Sequence, residues 1–81
     1  MTPIVHLNGT SKAELLLQRS NAVDALRLAL IALNEMSPNG RDYYPEPGRL
    51  EQAQAEHEAR FLAVRAVRES IYEEIVALTT L

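Results

Sequence analysis

The sequence predicts an all-α fold: an antiparallel helical hairpin with a short N-terminal arm, assembling into an oligomeric helical bundle. Three observations predict it. Residues 12–36 and 49–78 run without an internal Gly or Pro and repeat apolar residues at helical spacing. The segment between them, 37–48, holds Pro38, Pro45, Pro47, Gly40 and Gly48, which suits neither helix nor strand. Both helical stretches also carry more apolar surface than one partner helix can cover.

A chain of 81 residues has room for one domain, taken as 1–81. Residues 1–10 read as an arm in which Asn8-Gly9 marks a turn. Ser11-Lys12-Ala13-Glu14 is a capping-box pattern: the Ser11 hydroxyl accepts from the Glu14 N–H, and the Glu14 carboxylate reaches back to the Ser11 N–H. The first helix therefore starts at Lys12. It ends near Met36, because Pro38 holds Ser37 away from helical geometry. Its rise gives a rod of roughly 37 Å. The second helix starts between Pro47 and Arg49, with Pro47 suited to a first helical position, and continues to Leu78. The connecting loop exceeds the usual roughly 2–8 residues of helix–helix connections, and long ordered loops often carry function.

Leu16, Val23, Leu26, Leu30 and Leu33 form the inner stripe of the first helix. Leu15, Ala22, Ala25, Ala29, Ala32 and Met36 make a second apolar strip beside it; Leu28 and Ile31 add more apolar surface, Ile31 on the same side as Ser20, Asp24, Arg27 and Asn34. On the second helix, Leu50, Ala53, Phe61, Val64, Ile71, Ile75 and Leu78 form one line. Ala63 and Val67 flank it, with Ala59 and Ala66 further round, while Glu51, Glu58, Arg65, Glu69 and Glu73 mark the wet face. A helix apolar over most of its circumference is a buried helix, so hairpins are expected to pack on one another. Burying about four further Leu or Ile side chains contributes on the order of 6–12 kcal/mol before entropy.

The formal charge of −3 argues against binding a nucleic-acid polymer or an acidic membrane, which need a net cationic face. Seven of the eight basic residues are Arg, the side chain suited to bidentate contact with carboxylate or phosphate. The chain has no cysteine, which excludes disulfides and thiolate metal sites. No secretory signal is visible at the start. The run Ala25–Leu33 falls short of the ~20 residues of a spanning helix, so a soluble, cytoplasmic location is expected.

No sequence signature of catalysis stands out. There is no His-Glu-x-x-His, no Gly-rich phosphate loop with a following Lys, and Gln54 stands where a Glu-x-x-His motif needs its carboxylate. The expectation is a non-enzyme without metal or cofactor. Polar residues in apolar surroundings offer binding instead. His57 and Arg68 lie on the apolar line of the second helix: His57 as a core histidine with one hydrogen bond or a ligand contact, Arg68 as a stem reaching out to water or an anion contact. In the loop, Asn39, Arg41, Asp42, Tyr43 and Tyr44 combine a guanidinium, an acceptor and two flat rings, a set that stacks on a base and holds its phosphate. The alternative is that the tyrosines plug the end of the bundle while Arg41 pairs with Asp42. Loop and arm lie at opposite ends of one hairpin. In an antiparallel dimer, however, Asn8, Thr10 and Ser11 of one subunit approach the loop of the next, giving two composite sites with helix-start N–H groups facing an anion.

His6-Leu7-Asn8-Gly9-Thr10-Ser11, Pro38-Asn39-Gly40-Arg41-Asp42-Tyr43-Tyr44-Pro45 and Glu56-His57-Glu58-Ala59-Arg60 together resemble small helical proteins encoded by bacteriophages and prophages. The resemblance implies the host cytosol as location; Arg60, in the last of these motifs, is a further candidate ligand contact. By analogy of size, helical content and shared pockets, it is similar to phage anti-defence sponges that trap cyclic oligonucleotides or cyclic ADP-ribose isomers. Three functions stay open at this point: sequestration of a small phosphorylated ligand at inter-subunit pockets, a protein–protein inhibitor or adaptor of the anti-CRISPR or host-factor type, and a purely structural bundle.

Overall fold

A computed structural model describes all 81 residues as two antiparallel α-helices, α1 (Lys12–Glu35) and α2 (Arg49–Thr79), joined by a tip loop. The loop contains one 3-10 turn, Gly40–Asp42. No helix is long and apolar enough to cross a membrane.

The cap at α1 forms by half. The Glu14 N–H donates to Ser11 Oγ at 3.2 Å, while the return bond from the Ser11 N–H to the Glu14 carboxylate is not made. α1 ends at Glu35, one residue before the expected Met36, where the Ser37 hydroxyl donates back to the Asn34 carbonyl at 2.7 Å. α2 starts at Arg49 and runs to Thr79. Pro47 does not take its first position; Gly48 is the N-cap, at φ 86° and ψ −17°, with no side-chain cap. That left-handed conformation suits glycine because any Cβ crowds the following carbonyl.

The helices pack along a seam. On α2 the inward residues are Leu50, Ala53, His57, Phe61, Val64, Arg68, Ile71, Ile75 and Leu78; from His57 onward they alternate four- and three-residue steps. That spacing keeps a stripe facing one partner helix. On α1 the expected inner stripe is present, and Leu15 and Ala22 join it rather than lying on a separate strip. Paired side chains fix the register: Ser37 lies level with His57, Arg19 with Glu74, and Lys12 with Leu81.

Packing is thin. Of 81 residues only Leu15, Val23 and Leu78 are buried, and only Leu78 is fully enclosed. Leu78 sits at the open end of the hairpin, where the arm folds back so that the backbone nitrogen of Met1 lies 3.9 Å from a Glu74 carboxylate oxygen. Elsewhere each helix has one neighbour, and its outer half faces water. The molecule measures 62 × 18 × 17 Å, with a radius of gyration of 18.3 Å. A compact chain of this length would have about 12 Å. The accessible surface is 6202 Å², against about 4900 Å² for a compact monomer of the same mass.

Candidate functional site

The tip loop is built around Asn39. Its side-chain oxygen accepts from the Arg41 N–H at 3.0 Å, and its amide nitrogen donates to Asp42 Oδ2 at 3.1 Å. A short side chain bonding to backbone two residues on is the usual means of closing such a turn. Here it also decides the electrostatics. Asp42 is held by Asn39, so the alternative Arg41–Asp42 pair does not form, and Arg41 is exposed with no carboxylate partner. The second guanidinium at the tip, Arg49, is engaged by Glu46 at 2.5 Å.

The two tyrosines part company. Tyr43 is half-buried and forms a wall shared by two open hollows. One, about 170 Å³, is completed by Asp42, Pro45, Glu46 and Arg49. The other, about 120 Å³, is completed by Arg49, Gln52, Ala53 and Glu56. Tyr44 points outward and is 85% exposed. Arg41 and Tyr44 line neither hollow. Each hollow falls below the roughly 300 Å³ at which pockets begin to enclose a ligand.

His57 faces the seam beneath the tip. Its Nε2 lies 3.2 Å from Ser37 Oγ, whose only proton is already donated to the Asn34 carbonyl. The ring nitrogen must therefore be the donor, and Nδ1 is buried without a partner. Arg68 lies three turns further along α2. Its Nε is buried and unpartnered, and the residue opens onto a surface concavity of about 400 Å³ shared with Glu69, Tyr72 and Glu73. Within one chain, His57 and Arg68 therefore do not form a common anion site. Arg60 is exposed on α2. Asn8, Thr10 and Ser11 are exposed at the opposite end of the hairpin from the loop, and Ser11 is already engaged in capping α1. The structure thus links Asn39, Arg41 and Asp42 by hydrogen bonds, sets Tyr43 beside Asp42, and leaves Tyr44 exposed on the same loop and the other six candidates elsewhere.

Three contributors went unread in the sequence. Ser37 and Asn34 fix the His57 ring, from positions in the helix exit that look like a stop signal only. Arg19 joins Glu74 at 3.1 Å, each side chain 21% exposed, and also donates to the Leu15 carbonyl. Its signal was available, because Arg19, Leu26 and Leu33 follow one another at seven-residue spacing on the seam. No cluster of three or more His, Asp or Glu side chains suited to a metal ion occurs.

A second hydrophobic feature lies on the back of α2. Leu62, Tyr72 and Val76 are exposed among Glu58, Glu69 and Glu73. No protein family, curated protein or solved structure matches this chain, so its function rests on these residues alone.

Proposed function

We propose that the chain is a non-catalytic, self-assembling protein that captures a small phosphorylated, ring-bearing ligand at the hairpin tip. The ligand class is a nucleotide-derived signal such as a cyclic oligonucleotide or a cyclic ADP-ribose isomer, held in the cytosol. The observation carrying this reading is the unpaired Arg41, left free because Asn39 takes Asp42. A free guanidinium gives a phosphate two parallel hydrogen bonds without first breaking an ion pair. Tyr44 offers an exposed ring on the same loop, and Tyr43 walls a hollow with Asp42 and Arg49. Stacking on such rings contributes about 1–3 kcal/mol per base. Isothermal calorimetry against cyclic dinucleotides, cyclic trinucleotides and ADP-ribose derivatives tests it. Binding is expected with at least one, and Arg41→Ala should abolish it without changing the fold. Heat from none of them refutes the proposal.

A second reading, an inhibitor or adaptor for another protein, draws on the Leu62–Tyr72–Val76 strip with its glutamate border. It predicts that Leu62→Asp, not Arg41→Ala, removes activity, and that affinity capture from host lysate recovers a stoichiometric partner.

A further inference from the structure

The register places on one side of the hairpin two apolar flanks that belong to different helices. Arg27, Ile31 and Asn34 of α1 line a shallow groove with Phe61 of α2, which identifies one face. At 100° per residue, Ala25, Ala32 and Met36 of α1 point to the opposite face, and so do Ala63 and Val67 of α2. The levels agree as well. With Ser37 opposite His57 and Arg19 opposite Glu74, Ala63 and Val67 fall beside the stretch from Ala25 to Ala32.

The result is an apolar patch across the middle of both helices, bounded by the exposed Gln18 and Asn21 of α1 and Arg60 and Ser70 of α2. Ala25, Ala32 and Ala63 are exposed, Met36 is 56% exposed and Val67 50%. Alanine and valine side chains are short, so a second pair of helices can approach closely over both at once.

We infer that this face docks a second copy of the chain, antiparallel, α1 on α1 and α2 on α2, to make a four-helix bundle. The surface area is large enough for a second copy of this chain. The 6202 Å² of exposed surface exceeds that of a compact monomer of this mass by about 1300 Å². A standard interface removes about 800 Å² from each partner, and larger obligate dimers remove more. Covering one face of the hairpin therefore brings the chain close to the exposure of an ordinary folded protein. The antiparallel arrangement makes every neighbouring pair of helices run in opposite directions, as in up-and-down bundles.

The two-fold axis crosses α1 between Ala25 and Ala32, the middle of the face. From there the start of α1 and the tip of the hairpin lie at nearly equal distances in opposite directions. Each tip then receives Asn8, Thr10 and Ser11 of the partner subunit beside its own Tyr43 hollow. The two hollows at one tip, each too small to enclose a ligand, gain a wall from the neighbour. This last step rests on the ligand reading proposed above; the docking face does not.

The experiment uses the full chain, which contains no cysteine. Analytical ultracentrifugation at micromolar concentration should find twice the 9.0 kDa chain mass. Ala25→Glu, a change at an exposed position, should weaken association about tenfold or more, whereas Ile31→Glu, on the opposite, grooved face, should leave it unchanged. Mixing the Ala25→Cys and Ala32→Cys proteins under oxidising conditions should give a disulfide-linked heterodimer, and neither alone should cross-link. A monomeric wild type, an unaffected Ala25→Glu protein, or absence of the mixed disulfide overturns the arrangement. A dimer that binds none of the nucleotides sinks the ligand reading alone. A monomer that binds one sinks the docking face alone.

Discussion

Leu78→Ala is the sharpest test of how this hairpin is held together, because Leu78 is its only fully enclosed side chain, at 0% exposure. Truncating a buried Leu to Ala removes transfer free energy and leaves a cavity, together about 2–5 kcal/mol. A central value of about 3 kcal/mol is reasonable here, since the arm closing this end can relax into part of the space. An 81-residue chain has a total stability of roughly 4–12 kcal/mol. The single change therefore removes a quarter or more of it. For a domain of this size, about 3 kcal/mol lowers Tm by roughly 12–24 °C. The assay is thermal melting followed by circular dichroism at 222 nm, with both proteins at one concentration, because self-association raises Tm by mass action. Leu17→Ala, an exposed position on the same α1–α2 hairpin, is the control and should stay within about 0.5 kcal/mol of wild type. A Tm fall below about 5 °C for Leu78→Ala would refute the assignment of the open end as the hairpin's anchor.

Gly48→Ala should destabilise by about 1–2 kcal/mol through backbone strain alone, since φ is +86° and nothing lies near the added methyl; urea titration reads it as a lower midpoint with an unchanged slope. Ser37→Ala removes the hydroxyl between the Asn34 carbonyl and the His57 ring; because both bonds are exposed and water can replace them, the loss should be about 0.5–1.5 kcal/mol in the same titration. Glu74→Gln breaks the Arg19 pair. Because both side chains keep some solvent contact, the loss should be about 1–2 kcal/mol, between exposed and buried pairs, and should shrink at high salt. Ser11→Ala should remove about 1 kcal/mol by leaving the Glu14 N–H uncapped, seen as fraying of the first turn of α1 in amide hydrogen exchange.

The parts of the fold legible in the sequence were those set by many residues acting together. The seam of α2 was readable as one line from Leu50 to Leu78, because each member repeats the same statement about a helix face. The α1 ends were readable from Ser11 and Pro38, whose chemistry permits few alternatives. The start of α2 was less so. Pro47 and Gly48 both fit a helix entry, and only the backbone shows that Gly48 takes the cap at positive φ. That the Ala25–Ala32 and Ala63–Val67 flanks share one face was not legible at all. Periodicity gives the stripe on each helix, but their relative rotation depends on the level at which the helices cross, which Ser37–His57 and Arg19–Glu74 set.

The site was harder to read for an energetic reason. Asp42 had two partners within reach in the sequence, Arg41 and Asn39. An exposed ion pair contributes about 0–1 kcal/mol and a typical hydrogen bond about 0.5–1.5 kcal/mol; the ranges overlap, so composition cannot choose between them. The turn chooses: Asn39 is already committed to the Arg41 N–H through its oxygen, which aims its amide nitrogen at Asp42 at no further conformational cost. Arg41 is left free as a consequence of that geometry rather than of its own preference. Under the proposed ligand reading, the same logic makes binding depend on Asn39 indirectly. Asn39→Ala frees Asp42 to pair with Arg41 and should weaken binding while leaving Arg41 itself in place, an effect that Asp42→Asn, by removing the competing charge, should reverse.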